Sequence, residues 1–424
     1  MNKYTNTFRL TGLILFLGVG CFAQSVLPKV VETEAPKVHA IDPKKLPPPF
    51  ASESARRPSR FVDQPENAEL TVPKGFSVSL FADTEMFDDR SYPRLMAEAP
   101  NGDVFVSDSR LNRILVFRDE DGDGKADKRH VFTTDTVQPF GLEFAPGKLY
   151  VANTDSVVWF EYRSGMTKAI GKPKKIIDLP GRGYRQHWTR NIAISPDGKK
   201  IYVTVGSETN VSVEEDPRRA AVSVYDIDGR NHRIFASGIR NPVGLDFNPI
   251  SGELWTAVNE RDRIGDDLVP DYVTSVKDGG FYGWPYSYIG KNPDPRRKDD
   301  MRGDLVKKSI IPDVLVRSHS AALGIKFYAG DMFPDQYEGD AFVAFHGSWN
   351  RSKLTGYKII RIRFDEKGKA EGNRYEDFVT GWLPDENSRE VWGRPVGLLV
   401  ASDGALLITD DNGKRIWRVT YKGK

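Results

Sequence analysis

Four aspartates in one short stretch have a spacing suited to binding a metal ion. Asp119, Asp121, Asp123 and Asp127 form the pattern D-x-D-x-D-G-x-x-D. Alternate carboxylates around a glycine turn wrap a hard cation with oxygen ligands, as in the first part of a helix-loop-helix calcium loop. Position twelve is His130 instead of glutamate, and the flanking residues have strand character. We predict a structural calcium site in a long hairpin, with a plain acidic turn as the alternative.

A second concentration of polar side chains lies in residues 238–285. Arg240 and Asn241 precede one short apolar run, 245–247, and a polar loop at 259–267 follows another, 254–258. Short apolar runs bounded by turn-forming residues predict strands, and loops at strand ends are where binding sites are commonly built. The stretch therefore predicts a strand pair with a polar, site-forming loop at each end.

The same pattern recurs six times after residue 70. Each unit has an apolar strand pair around a Pro/Gly turn, and a polar loop and a further outer strand follow it. The units span 94–109, 139–156, 190–210, 241–262, 321–350 and 394–419. A repeat of about 45 to 50 residues, each a four-stranded sheet that cannot bury both faces alone, is typical of a propeller. We predict an all-β fold, a six-bladed β-propeller with four-stranded antiparallel blades around a central channel.

A propeller brings the polar loops of its repeats together. The loops before each first strand and after each second strand emerge on one face, around the channel mouth. They place there a set rich in Arg, Asn, Asp and His: Arg94, 107–108, Gln138, 153–155, 187–190, 206–210, 240–241, 259–262, His319, 346–350, Arg394 and 410–412. A single acid after a strand often serves only as a turn former. The collected Arg and His residues predict a binding site at the mouth.

The composition excludes several classes of protein. The chain has 424 residues, 39% of them hydrophobic and 28% charged, which is typical of a soluble globular protein and not of a disordered chain. The formal charge is +2 and falls to zero once Lys3 and Arg9 are removed with the segment described next, so we predict no nucleic-acid partner. Cys21 is the single cysteine, which excludes an internal disulfide and a cysteine metal site.

Residues 1–23 have the pattern of a targeting segment. Lys3 and Arg9 precede an apolar run, 10–19, that is too short to span a bilayer as a helix and ends in small residues. Cleavage after Ala23 removes a signal peptide, whereas cleavage before Cys21 leaves a cysteine for a lipid anchor. We predict an exported protein, either periplasmic or lipid-anchored to the outer face of a membrane, with any membrane contact through Cys21.

Residues 24–68 differ from the rest of the chain. Prolines and charges alternate there without an apolar period of about 2 or 3.6 residues. This composition predicts an extended, semi-rigid tether or a strap lying on the domain surface. We predict that residues 69–424 form the propeller as a single domain.

The repeats also contain six short sequence motifs that resemble those of a known protein family. These are HWTRNIAISPDG, GIRNPVGL, NERDRIGDDLVPDY, DGGFYGWPYSY, HGSWNR and GRPVGLLV. Together they resemble the L-sorbosone dehydrogenase type of soluble quinoprotein sugar dehydrogenase and, more distantly, the aldose and glucose dehydrogenases that use pyrroloquinoline quinone. The resemblance covers residues 70–422. It implies a propeller that binds the quinone with calcium at the channel mouth, oxidises a sugar or sugar-derived alcohol or aldehyde, and passes electrons to an external acceptor.

The resemblance also implies roles for single residues. His187 matches the general base, which takes the hydroxyl proton while hydride passes to the quinone, and imidazole suits this work because its pKa lies near working pH. The alternative for His187 is a partly buried histidine that bonds a neighbouring carbonyl. Contacts to the cofactor are implied for Arg190, Arg240, Asn241, Glu260, Asn350 and Arg394. For Asn350, as for His346, a role in turn structure is the alternative.

Two loops depart from the pattern of the sugar dehydrogenases. The resemblance implies calcium at the backbone carbonyls of Arg261 and Asp262, where those enzymes have Gly-Pro. Ser207 stands where they have the aspartate that orients the base, with Glu208 next to it. The identity of the sugar therefore stays open. Two other functions also stay open: a calcium-dependent propeller hydrolase of the lactonase kind, and a non-catalytic binding propeller.

Overall fold

The computed structural model describes residue 1 and residues 27–181 and 187–423, which form a six-bladed β-propeller. The predicted all-β fold with four-stranded antiparallel blades is confirmed, and blades three and five each gain a fifth strand. Across these described ranges, no helix is long and apolar enough to cross a membrane. The predicted targeting segment, with Cys21, lies outside the described residues except for Met1.

Each blade is an antiparallel meander whose first strand lies at the channel, where the first strands of neighbouring blades contact one another. The strands of blades one to three are Pro93–Glu98, Val104–Asp108, Arg113–Arg118 and Lys128–Thr133; Leu142–Ala145, Lys148–Ala152, Ser156–Glu161 and Lys174–Asp178; and Arg190–Ile194, Lys200–Val205, Ala221–Asp226 and Arg233–Ser237. Those of blades four and five are Pro242–Phe247, Leu254–Val258, Asp271–Ser275 and Val314–Val316; and Ala322–Phe327, Ala341–Phe345, Lys358–Ile362 and Arg374–Val379.

Blade six is closed by the start of the propeller domain. Its first three strands are Pro395–Val400, Leu406–Asp410 and Arg415–Tyr421, and its fourth strand is Phe76–Ala82, which pairs antiparallel with Arg415–Tyr421. The two ends of the domain therefore meet in one sheet. This pairing closes the ring of six blades.

Glycines in the first strands allow the blades to approach one another. A Cβ atom at Gly244 would lie 2.3 Å from the carbonyl oxygen of Leu323, and one at Gly324 would lie 2.4 Å from that of Val396. Only glycine fits where two backbones come this close. The recurring apolar-Gly-apolar string in the repeats thus packs the first strands around a narrow channel, and the residues just before them are held at its mouth.

Blade four carries an insertion between its third and fourth strands, at 276–313. It contains Gly280–Phe281, which is the parallel fifth strand of blade three, the pair Ser287–Tyr288 and Asn292–Pro293, the 3-10 turn Pro295–Arg297 and the short α-helix Gly303–Val306. Three further 3-10 turns are Thr84–Met86, Ser109–Leu111 and Asp335–Tyr337. The insertion packs behind the loop at 259–267 and supplies partners for it.

Residues 27–68 lie against the propeller as a strap. Three short strands attach them: Lys29–Thr33 pairs with Glu69–Pro73, Val38–Ala40 is the fifth strand of blade five, and Arg60–Phe61 pairs with Glu390–Val391. Between these points the strap follows the channel mouth, where the amide of Phe50 donates to the carbonyl of Ile264 and that of Arg57 to the carbonyl of Trp349, both at 2.7 Å. The strap therefore forms part of the rim.

Candidate functional site

A cavity of about 430 Å³ opens at the channel mouth. Its polar and aromatic lining comes from five blades and comprises Tyr92, Arg94, His187, Trp188, Arg240, Asn241, Glu260, Asp262, Asp271, His319, His346, Trp349 and Arg394. The structure thus brings together residues that the spacing of the repeats predicted at one mouth. Three arginines, Arg94, Arg240 and Arg394, bring positive charge to the cavity, and three carboxylates, Glu260, Asp262 and Asp271, line it with them.

His187 is held by the loop that follows the second strand of blade three. Its Nδ1 lies 2.8 Å from the carbonyl oxygen of Ser207 and 3.0 Å from its hydroxyl, which donates to the carbonyl of Thr209 at 2.6 Å. A carbonyl can only accept, so Nδ1 carries the proton and Nε2 keeps its lone pair. Burial, and next the charge of Arg240, lower the pKa of His187 to about 3. The imidazole is therefore neutral, with a pKa well below the working pH expected of a base, and its bond to the Ser207 carbonyl is the contact that the alternative of a buried structural histidine predicted.

Arg240 holds two loops together below the cavity. Its Nη1 donates to the carbonyls of Glu260 at 2.6 Å and Asn259 at 3.3 Å, and its Nη2 donates to the side chains of Asn210 at 3.0 Å and Asp262 at 3.2 Å. Nε donates to the carbonyl of Asn210 at 3.2 Å. All five N–H groups therefore have protein acceptors. Arg240, for which a cofactor contact was implied, presents positive charge to the cavity while its N–H groups are engaged within the protein.

A buried cluster occupies the opposite wall, where blades one, five and six meet. His346 Nε2 lies 2.7 Å from Asp411 Oδ2, and its Nδ1 lies 2.9 Å from Arg394 Nη2. Arg94 Nη1 also donates to Asp411 Oδ2. Burial and the charge of Arg394 lower the pKa of His346 to about 4, so it stays neutral. Arg394 is only half-buried, and its side chain bonds His346 through Nε and Nη2, so Nη1 is left for a ligand.

Two buried acceptors in the cavity wall have no hydrogen-bond partner among the described residues. These are Oδ1 of Asn241 and Oε1 of Glu260. Glu260 Oε2 is engaged by the Nε of Arg261 at 2.9 Å, and the Nη1 of Arg261 binds Asp294 Oδ2 at 3.0 Å. A buried acceptor left alone costs free energy, so these two atoms indicate where a ligand donor or a cation binds.

Of the two predicted calcium carbonyls at 261–262, that of Asp262 is already hydrogen-bonded. The carbonyl oxygen of Asp262 accepts hydrogen bonds from Asn210 Nδ2 and Arg296 Nη1, both at 2.9 Å. Arg261 is fully buried and is absent from the cavity lining. Calcium at this carbonyl stays a prediction, and the two donors would have to move for Asp262 to bind it. What the loop offers to the cavity is the carboxylates of Asp262 and Glu260.

Two lining residues were not assigned a role from sequence. His319 places Nε2 3.0 Å from the carbonyl of Gly265 and Nδ1 3.3 Å from Asp262 Oδ1. Burial alone would lower the pKa of His319, but Asp262 outweighs it and raises the pKa. Asp271 accepts the amides of Glu260 at 2.7 Å and Ala321 at 2.8 Å, and burial raises its pKa to about 7. The sequence signal for Asp271 is a charged residue at the start of a short strand, DYVTS.

Arg190 and Asn350 lie outside the cavity lining. Arg190 is fully buried and donates to the carbonyls of His187 at 2.7 Å, Thr189 at 2.8 Å and Pro180 at 2.8 Å. Asn350 bonds only backbone, accepting the amide of Arg263 at 2.9 Å and donating to the carbonyl of Ala55 at 2.6 Å. Arg190 thus supports the His187 loop and Asn350 ties the strap to the rim, and neither lines the cavity at which we predicted their cofactor contacts.

The aspartate-rich hairpin of blade one lies away from the mouth. Carboxylate oxygens of Asp119, Asp121 and Asp127 lie within 4.8 Å of one another. Asp123 is not part of this group, and it accepts the amide of Lys125 at 2.8 Å. Structural calcium at this hairpin stays a prediction, with three of the four carboxylates brought together.

The chain is similar to known proteins over most of its length. The family model described as TrAA12-like matches residues 70–276 and 291–422. A protein of Borreliella burgdorferi with no described function is 31% identical over 83% of this chain and 91% of its own. A pyrroloquinoline quinone-dependent pyranose dehydrogenase of Coprinopsis cinerea is 24% identical over 82% of this chain, which spans 54% of that protein. The calcium structure of a Trichoderma reesei family AA12 enzyme has the same fold, with a TM-score of 0.71, 18% identity, and coverage of 85% of this chain and 100% of the other.

Proposed function

Because the chain belongs to the TrAA12-like family, we propose that it is a quinoprotein dehydrogenase that oxidises a sugar or a sugar-derived alcohol or aldehyde. Its cofactor would be pyrroloquinoline quinone with calcium, and an external acceptor would take the electrons. The observation that carries the proposal is a neutral histidine, His187, in a cavity lined by three arginines. The Coprinopsis cinerea relative is named as a quinone-dependent enzyme, which supports pyrroloquinoline quinone as the cofactor. Within this proposal, we propose more specifically that the substrate is of the L-sorbosone type.

The residues of the cavity fit this cofactor. The quinone carries three carboxylates, and Arg394 offers a donor to them while Arg240 and Arg94 contribute positive charge. Asn241 Oδ1 is a buried acceptor for a ligand N–H or O–H. Calcium prefers oxygen ligands, and Glu260 Oε1 is a buried carboxylate oxygen without a partner among the described residues, whereas the two oxygens of Asp262 already face Arg240 and His319. Bound there, the quinone would serve as the acceptor of the hydride that leaves the substrate carbon.

The protein's own part in the reaction is to take a proton. Nε2 of His187 accepts it from the substrate hydroxyl, because Nδ1–H is committed to the carbonyl of Ser207. The charges of Arg240 and Arg394 stabilise negative charge that develops next to them. Trp188 and Trp349 line the same cavity and provide apolar faces for a sugar ring, and Trp349 is 39% exposed.

Reconstitution tests the proposal. Purified protein is mixed with calcium and pyrroloquinoline quinone, and the reduction of a dye is followed with aldoses, alditols and L-sorbosone. We expect dye reduction that requires quinone, calcium and one class of these substrates. Absence of both quinone binding and oxidation would remove the proposal, and lactone hydrolysis with calcium alone would favour the hydrolase.

The backbone bond to His187 makes a prediction about pH dependence. The pKa of His187 lies near 3, so in the wild type we expect no loss of kcat/KM from this base as the pH falls to about 5. In Ser207→Asp, a carboxylate next to Nδ1 would raise the pKa of His187 by about 1 to 3. As the pH falls, His187 would then be protonated earlier, so kcat/KM would begin to fall at a higher pH than in the wild type. Ser207→Ala is the matched control, since it keeps the carbonyl and should keep the wild-type profile.

Gly206 lies against the side chains of both His187 and Asn241, where there is no room for a Cβ atom. A Cβ atom there would lie 2.2 Å from Asn241 Oδ1 and 2.6 Å from the Cβ of His187. Gly206→Ala must therefore displace both side chains, and we expect kcat/KM to fall by about 100-fold, since small misplacements of reacting groups have this cost. Gly303→Ala, whose Cβ would meet nothing within 4 Å, is the control and should leave kcat/KM unchanged. Equal rates in the two variants would contradict the placement of His187.

We further propose that the protein is exported. The basis is the charge and apolar run of residues 1–23. Mass spectrometry of the mature N-terminus distinguishes a chain cleaved after Ala23 from one that begins at a lipid-modified Cys21, and an intact N-terminus would contradict both.

A further inference from the structure

A second, larger depression lies beside the cavity. This groove has a volume of about 810 Å³ and is bounded by strap residues 61–66 on one side and by blades one and six on the other. It shares one lining residue, Tyr92, with the cavity. Asp411 lines the groove alone, but its carboxylate bonds two cavity residues, Arg94 and His346, so the groove and the cavity adjoin at Tyr92 and at this cluster. Each has a volume in the range of small-molecule sites, about 300 to 1,000 Å³.

The strap wall of the groove is fixed to the propeller. The amide of Val62 donates to the carbonyl of Val391 at 2.9 Å, next to the parallel pairing of Arg60–Phe61 with Glu390–Val391. Arg415 Nη1 donates to Gln64 Oε1 at 2.7 Å across the groove. A wall held by backbone pairing and by a side-chain bond has a defined shape, as a binding site requires.

The polar atoms of the groove suit a neutral ligand rich in hydroxyls. Among the described residues, two buried atoms in its lining lack a partner, the donor Nε of Arg415 and the acceptor Oδ1 of Asp411. A hydroxyl both donates and accepts, so a polyol satisfies both kinds of atom. Acidic and basic side chains are mixed in the lining, and Phe61, which is 38% exposed, adds an apolar face.

From these observations we infer that the groove binds the second and following sugar units of a di- or oligosaccharide whose terminal unit enters the cavity. The inference rests on the proposed function for the identity of the terminal unit. It adds a substrate class, since the sugar in the cavity is then one end of a longer chain. It also gives the strap a role, because residues 61–66 form the wall that a monosaccharide would not reach.

Binding of sugars of increasing length tests the inference. Isothermal titration calorimetry is performed on the full chain, with and without the quinone, using glucose, maltose and maltotriose, and in parallel cellobiose and cellotriose. We expect one series to bind at least about fivefold more tightly at the disaccharide than at glucose, the gain from about one net hydrogen bond. Equal affinity for glucose and the longer sugars in both series would overturn the inference.

Variants locate the effect. Phe61→Ala and Arg415→Gln should remove the gain with chain length while glucose binding is retained, and the two changes are independent in case one affects folding. Phe50→Ala is the control, because Phe50 is a strap residue that is 58% exposed and lies outside the groove, and it should keep the gain. A gain that survives both groove variants would overturn the inference. If glucose is oxidised but affinity does not rise with sugar length, the sugar-binding role of the groove is refuted and the proposed function is not. If affinity rises with sugar length but no sugar is oxidised, the proposed function is refuted and the role of the groove is not.

Discussion

Replacing His187 by alanine is expected to lower kcat by about 100- to 10,000-fold, the usual contribution of a general base. His187 lines the cavity, its Nδ1 is bound by the Ser207 carbonyl, and its lowered pKa keeps Nε2 unprotonated. The variant should still bind the quinone, because the arginines and Asn241 are unchanged. Steady-state dye reduction gives kcat, and titration with the quinone gives the affinity.

Two controls separate the loss of the base from a general disturbance. His232→Ala removes an exposed histidine directly before the outer strand of blade three, where it contacts the Ser223 hydroxyl at 3.1 Å, and should leave kcat unchanged. Added imidazole should partly restore turnover in His187→Ala, since the variant leaves room for a free base. A normal rate in His187→Ala would show that another group takes the proton.

Replacing Arg261 by methionine is expected to lower the free energy of unfolding by about 3 to 5 kcal/mol, the cost of removing one partner from a buried ion pair. Arg261 is fully buried, and its guanidinium binds Glu260 Oε2 at 2.9 Å, Asp294 Oδ2 at 3.0 Å and the Ser287 carbonyl at 2.7 Å. Asp294 keeps a second partner in Arg296, whereas Glu260 loses its side-chain partner. Urea unfolding measures the change, and quinone and calcium affinity should fall with it.

The exposed pair of Arg233 and Asp278 provides the matched control. Its side chains are 51% and 57% exposed, so Arg233→Met should change the free energy of unfolding by less than about 1 kcal/mol. The contrast between the two methionine variants isolates the effect of burial. A loss at Arg261 as small as that at Arg233 would contradict a structural role for this cluster under the site.

The blades could be predicted from the sequence because every repeat contains the same pattern of neighbouring residues. Strand pairs around a Pro/Gly turn can be found in any single repeat, and the glycine at Gly244 or Gly324 marks where first strands approach one another. The closing strand Phe76–Ala82 and the path of the strap were not predictable in this way. Both depend on pairing between residues more than 300 positions apart, as between Arg60 and Glu390, which leaves no trace in local periodicity.

For the site, spacing predicted which loops meet but not where their atoms point. His187, Asn241, Glu260 and Arg394 do line the cavity. Arg190 lies one residue beyond Thr189, which lines the cavity, yet its side chain turns behind the loop to bind carbonyls. The carbonyl of Asp262 is likewise taken by Arg296, a residue of the insertion in blade four. Such outcomes depend on a single peptide or rotamer orientation, which residue type and spacing do not determine.

The absorbance of the bound quinone, recorded without oxygen before and after addition of an aldose, tests the central claim most directly. We expect one quinone per chain, bound in the presence of calcium, whose spectrum changes from oxidised to reduced on addition of the sugar in the wild type and changes far more slowly in His187→Ala. A bound quinone that stays oxidised with every sugar, or one that is reduced equally fast in both proteins, would contradict the assignment of the site.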